Sequence, residues 1–180
     1  GLTRTVDGID VSFDIDIAPG FDGSGTGNVS FGTNGGHTGF LQNIIRGPGF
    51  DQVGATTTIT FSEGVVNLSF LLGDIDRGFS SFQDQFTVPG FLNGNEVTFE
   101  AQAAGSVVQS GDDTFYGTGS AIPSDATGNV VIVFDGLVDE VVIEYSGGPD
   151  EPTTAQLGII SDLSFQLSNS VSVLTVGPAG

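Results

Sequence analysis

The sequence predicts an all-β protein: a single antiparallel β-sandwich, jelly-roll-like, over residues 1–180. Three observations carry this. Short apolar runs alternate with polar residues at a period of two, and no run carries the 3.6-residue period of an amphipathic helix. The 29 glycines fall mostly between those runs, where turns require them. Of the aromatic residues, 15 are Phe, two are Tyr and none is Trp, and the Phe residues sit mainly at alternating strand positions, as a packed interior demands. Roughly ten to twelve strands separated by polar turns suit a sandwich or barrel. No composition shift marks a linker or a second domain.

Taken in order, Ile9–Ile17 (IDVSFDIDI) alternates strictly, with Asp10, Asp14 and Asp16 on the outer face. That acidic ladder reads as a solvated face that discourages edge pairing. Pro19–Gly39 is rich in Gly, Asn, Ser and Thr. It is expected to be a long loop holding one short strand at Asn28–Phe31. Phe40–Ile45 forms a short strand, and Gly47-Pro48-Gly49 forces a turn. Ala55–Phe61 (ATTTITF) is a strand, and Ser62-Glu63-Gly64 is expected to turn the chain into a second, buried strand, Val65–Leu72. Gln85–Leu92 and Glu96–Ala101 flank Asn93-Gly94-Asn95, a strong hairpin signal, with Pro89 restricting its strand to an edge or a bulge. Ser106–Gln109 and Thr114–Gly117 bracket a second hairpin. Asn129–Phe134 and Glu140–Tyr145 bracket DGLVD and predict a third. Leu157–Leu167 and Ser170–Val176 close the set. The terminal segments 1–17 and 170–176 both read as strands.

Charge excludes whole classes of function. The chain holds 22 acidic residues and three arginines (Arg4, Arg46, Arg77), with no lysine, for a net charge of −19. Nucleic-acid binding lacks its basic footprint, and an anionic membrane surface would repel the protein. No apolar run approaches the ~20 residues of a membrane span. Such acidity suits divalent cations or a salty medium. There is no cysteine. In an extracellular protein, stability then falls to packing, metal binding or assembly. No signal peptide is visible.

The acidic loop after Leu72 is the main candidate site. Strand alternation places Phe70, Leu72, Asp74 and Asp76 on one face, running from core to paired carboxylates. Carboxylates two residues apart suit an oxygen-ligand cation, so Asp74, Asp76 and Asp84 are candidate calcium ligands. Asp162 joins them if the closing strand lies beside Asp74 and Asp76, and backbone carbonyls of Gly78–Phe82 could complete the shell. A solvated Asp-Gly turn is the plain alternative. The DxDxDG run of an EF-hand is absent. His37 is the only histidine and has no ligand-spaced partner. No nucleophile motif or phosphate loop is present. Glu140 and Glu144, the nearest pair for two-carboxylate glycosidase chemistry, lie four apart on one strand. The expectation is therefore no enzyme. Tyr116, with Asp112 and Asp113 in its hairpin, is the best candidate for binding a sugar.

The runs FSEGVVNLSFLLGDIDRG, FQDQFTV, GNVVIVFDGLVDEVVIEYSGGP and QLGIISDLSFQL resemble a β-sandwich, jelly-roll-like module of secreted and surface-exposed bacterial proteins, often of adhesin or matrix type. The resemblance covers Thr57–Leu167 and is carried by GDID and ISDLSF. It implies an extracellular or cell-surface location and says little of chemistry. Together with composition it leads to an expected function: a calcium-stabilised structural or adhesive subunit. Such a subunit would associate with itself by strand addition into a filament, or with other surface proteins. The alternative is a calcium-dependent carbohydrate-binding module that takes glycans.

Overall fold

A computed structural model describes residues 1–23, 29–34, 37–45, 53–78, 81–121, 126–149 and 156–168. Its strands are β1 (Leu2–Val6), β2 (Ile9–Ile17), β3 (Val29–Asn34), β4 (His37–Ile45), β5 (Val53–Gly73), β6 (Arg77–Gly78), β7 (Phe82–Thr87) and β8 (Gly90–Leu92). The set continues with β9 (Asn95–Val97), β10 (Glu100–Ala103), β11 (Val107–Ser110), β12 (Thr114–Gly117), β13 (Val130–Phe134), β14 (Val138–Gly147), β15 (Gln156–Ile160) and β16 (Ser164–Leu167). The only helical piece among the described residues is a single 3₁₀ turn, Ala126–Gly128. Among the described residues every strand pairing is antiparallel, and the arrangement is that of an open sandwich rather than a closed barrel.

One strand organises the rest. β5 runs 21 residues without a break. The turn expected at Ser62-Glu63-Gly64 is instead a bend inside it, because neighbours hold both sides of the bend. On one edge, β2 pairs Val11–Ile17 with Phe61–Ala55, and β16 and β15 take up the second half as far as Gly73. On the other edge, β14 and then β13 lie end to end, from Tyr145 opposite Ala55 to Val130 opposite Leu72. The third expected hairpin is therefore corrected as well. β13 and β14 do not pair with each other; they run in line along β5, and DGLVD is an excursion at the bend.

The bend also changes which side chains face inward. In the first half Ala55, Thr57, Ile59, Phe61 and Val65 are buried, all at odd positions. In the second half Leu68, Phe70 and Leu72 join the main core, at even positions, while Leu71 is buried in a separate small cluster with Ile159. Asn67 sits between the two halves with φ 51°. Asn tolerates this left-handed conformation better than other non-glycine residues. A residue placed there acts as a bulge and shifts the alternation by one. Its side-chain amide donates to Gln166 Oε1 at 3.0 Å, where the β16 register is also irregular.

Two strand groups share β5. The first is β1-β2-β5-β14-β7-β12-β11; the second is β10-β13-β5, with β16 and β15 beyond and then β4 and β3. Their inner faces meet in one core that contains Ile59, Phe86, Phe115 and Tyr145 from the first group and Phe70, Ile132 and Phe134 from the second. Phe99 bridges the groups, with ring centroids 6.3 Å from Phe115 and 5.2 Å from Phe134.

Other expectations meet the structure as follows. β2 has the bounds read from its alternation. Pro19–Gly39 is not one long loop, since β3 and the start of β4 form a hairpin in it. β3 overlaps the short strand expected at Asn28–Phe31 and β4 the one at Phe40–Ile45; polar composition hid the rest of β3 and the start of β4. The strand-like segment 1–17 divides into β1 and β2; the residues of β1 are all exposed and carry no burial pattern, so the break between the two was not legible. β1 pairs with β2 through an Asp7-Gly8 turn in which both residues have positive φ. Val88-Pro89 splits the expected strand into β7 and β8, yet the Pro89 carbonyl still accepts the Val142 N–H at 3.0 Å. Leu157–Leu167 likewise divides into β15 and β16 around Ser161–Leu163. Gly47-Pro48-Gly49 and Ser170–Val176 lie outside the described residues.

Phe70 is 3% exposed in the middle of β5. Phe70→Ala should lower unfolding stability by roughly 3–5 kcal/mol in a urea titration. A loss below about 1 kcal/mol would contradict this register.

Candidate functional site: a buried acid pair

β5 ends at Gly73, and Asp74 follows with φ 62°. This left-handed residue breaks the strand alternation, so Asp74 and Asp76 do not simply continue the face of Leu72. Ile75 turns inward and is fully buried, with its N–H on the Gly128 carbonyl at 2.9 Å. Asp76 is carried inward too and is 7% exposed. Asp74 stays half-buried at the turn.

Asp76 meets Asp84, which is 1% exposed on β7. The Asp84 N–H donates to the Asp76 carbonyl at 2.9 Å, and the Asp76 N–H donates to Asp84 Oδ2 at 3.1 Å. Asp76 Oδ2 accepts the Ala121 N–H at 3.0 Å. Asp84 Oδ1 accepts the Tyr145 hydroxyl at 2.6 Å. Tyr145 is itself fully buried and stacked on Phe86, with centroids 4.7 Å apart. The Arg77 N–H reaches the Gly119 carbonyl at 3.0 Å, and Gln83 Nε2 reaches the Gly117 carbonyl at 2.7 Å. The segment 117–121 therefore closes over the acids. A Cβ at Gly117 would fall on the Asp76 backbone, so glycine is what lets the two segments touch.

Electrostatics follow from burial. Desolvation pushes the Asp84 carboxyl well up from the usual carboxylate range; the phenol of Tyr145 pulls it down, and the Asp76 charge raises it further. Asp76 is also raised by burial, against the lowering effects of the Ala121 N–H and of its hydrogen bond with Asp84. Both carboxyls are thus held above the usual carboxylate range by burial, Asp84 well above it. The Tyr145 phenol is held well above its usual value by burial and by the charges of Asp84, Asp74 and Asp76, so it remains a donor.

The structure thus brings Asp76 and Asp84 together and keeps Asp74 within electrostatic reach of Tyr145. Asp162 is elsewhere. It is exposed beyond β15, where Ile160 pairs with Leu72 and the Ser161 N–H donates to the Leu71 carbonyl at 2.9 Å. Among the described residues, no three Asp, Glu or His side chains group in a way that could hold a metal ion. Residues 79–80 of the expected carbonyl loop lie outside the described residues. In the β11–β12 hairpin, Tyr116 is half-buried opposite Val108, while Asp112 and Asp113 sit in the turn, about 10 Å along the strand. Glu140 and Glu144 are both half-buried on β14. An open groove of about 700 Å³ lies elsewhere, with Phe99, Glu96, Glu100, Asp135 and Leu137 among its lining.

The sequence reading missed the roles of Tyr145 and Gln83. Tyr145 could have been found: Val141, Ile143 and Tyr145 share one parity, and a phenol on a core face needs a buried acceptor.

A group whose pKa is raised by folding adds stability at low pH, and that stability is lost as pH rises through the raised value. The melting temperature should therefore rise as pH falls from neutral toward the ordinary carboxylate range. Asp84→Asn should flatten that rise. Tyr145→Phe removes an influence that lowers the Asp84 pKa, so it should shift the rise to higher pH. Superimposable pH profiles for the three proteins would contradict the raised Asp84 pKa.

Compared with protein-family models, curated proteins and solved structures, the chain matches none.

Proposed function

We propose that this chain is a non-enzymatic structural module of an extracellular or cell-surface assembly, acting through its rigidity and its outer surface. The observation that carries this reading is the sealing of the acid pair. A catalytic carboxyl must reach a substrate proton or a water, and Asp84 and Tyr145 are walled in by β7, β14 and the segment 117–121. The most chemically loaded cluster among the described residues thus serves the fold.

Charge and composition support the location. A chain at −19 with no cysteine suits a medium in which salt or calcium screens its surface. In this reading calcium acts as the counter-ion that lets acidic copies approach. The resemblance of the GDID and ISDLSF runs to surface modules points the same way. A second reading, a calcium-dependent carbohydrate-binding module, draws on Tyr116, which is partly exposed beside the 40%-exposed Val108. A glycan array run with calcium and with chelator tests it, and specific calcium-dependent binding at Tyr116 would favour it over the structural reading.

Purified protein should form ordered assemblies in calcium or at raised ionic strength, seen by light scattering and electron microscopy. Protein that stays monomeric across calcium and salt would overturn the assembly reading.

A further inference from the structure

The assembly reading leaves open which surfaces meet, and the inference that follows rests on it. The strand group β1-β2-β5-β14-β7-β12-β11 has two ends. Among the described residues, β1 pairs only with β2, and β11 only with β12. Four large apolar side chains are exposed among the described residues, and three of them lie on these two strands. They are Leu2 at 48% and Val6 at 44% on β1, and Val108 at 40% on β11. An open strand edge with exposed apolar side chains is a template for another chain.

We propose that a second copy of this chain supplies the partner, its β1 adding to β11 of the first. Direction and face both allow it. Every step from β1 to β11 is antiparallel, and the number of steps is even, so the two strands point the same way. A copy placed by simple continuation therefore meets β11 in parallel, with the core faces aligned. Leu2 comes beside Val107, Thr3 beside Val108, Arg4 beside Gln109 and Thr5 beside Ser110. Leu2 and Arg4 lie on the face of Phe13 and Val11. Val107 and Gln109 lie on the face of Gly117 and Phe115.

Charge selects this pairing over its rivals. Gln109 Nε2 already donates to the Asp112 carbonyl at 3.1 Å, so an arginine beside Gln109 stands level with the turn that carries Asp112 and Asp113. The two-fold alternative, β1 against β1, matches Leu2 with Val6 but sets Arg4 against Arg4 of the second copy, and like charges directly opposite destabilise a strand pair. An arginine on the inner face of an edge strand guards against self-pairing; facing an acidic turn, it selects the other edge. The contact is heterologous, and sheet twist rotates each copy on the last, so it generates a helical filament.

The absence of cysteine makes a cross-linking test clean. Thr5→Cys and Ser110→Cys, made in separate chains, mixed under assembling conditions and oxidised, should give a mixed disulfide dimer; neither alone should dimerise. Arg4→Glu should abolish scattering, and Asp112→Arg with Asp113→Arg in the same chain should restore it. Arg4 is exposed, so the Arg4→Glu melting curve should be unchanged; Asp113 is half-buried and accepts the Thr114 hydroxyl at 3.0 Å, so the triple variant is compared at a temperature where its own melting curve shows it folded. A mixed disulfide between Thr3→Cys and Thr5→Cys chains, which stand opposite each other in the two-fold register, with none between Thr5→Cys and Ser110→Cys, would overturn the proposal in favour of the two-fold pairing. Cross-linking seen only after removal of residues 169–180 would show that the chain covers its own edge, and would overturn it too. Assembly with neither cross-link nor charge-swap rescue overturns this contact and leaves the assembly reading standing. No assembly under any condition overturns both.

Discussion

The structure depends on a single strand that must belong to both halves of the fold. β5 is 21 residues long, about 70 Å if fully extended at strand rise, far beyond the usual strand. A straight strand of that length could not bury both halves in one core. Asn67 resolves this by taking a left-handed conformation and shifting the inward parity from odd to even. The neighbours adapt at the same level. β14 gives way to β13 across DGLVD on one edge, and β2 gives way to β16 on the other. The bend is thus a property of the whole sheet, since each flanking edge is interrupted where β5 turns.

The acid pair is a consequence of how β5 ends. A second left-handed residue, Asp74, turns the chain inward, so Ile75 and Asp76 are both buried. Two carboxyls brought together in a low dielectric cannot both ionise. The fold answers with donors: the Tyr145 phenol, the Asp76 N–H and the Ala121 N–H. Each donor comes from a different segment, so the pair ties 74–76, β7, β14 and 117–121 into one knot. Ionising both members would set two like charges side by side in a buried site. Burial thus makes the pair a structural tie whose strength depends on pH.

Much of this was legible in the sequence, for reasons that particular residues make plain. β2 was readable because one of its faces is buried and the other carries acids; β12 was readable because turn residues bracket it. Asn93-Gly94 announced its hairpin, and both residues have the positive φ that such a turn needs. Where alternation fails as a guide, the cause is a left-handed non-glycine residue. Asn67 and Asp74 each change parity without leaving a gap in the apolar pattern, so the bend of β5 looked like a turn at Ser62-Glu63-Gly64, and Asp74 and Asp76 looked like paired ligands continuing the face of Leu72. Pairing was the other limit. DGLVD has the composition of a hairpin turn, but partners are chosen by the long strand alongside, which no local signal reports.

The same limit explains why the acidic loop drew attention as a cation site. Spacing shows that carboxylates are near one another along the chain; it does not show whether water or protein surrounds them. Calcium needs several oxygens that stay charged or strongly polar, with room for six to eight of them. In the structure the oxygens of Asp84 are already committed to a phenol and to a backbone N–H, and one oxygen of Asp76 to another N–H. Donors that point hydrogen at a carboxylate compete with a cation for the same lone pairs. A phenol at 2.6 Å takes one of those lone pairs at Asp84, so a cation at this loop would have to draw on carboxylate oxygens and carbonyls not already engaged.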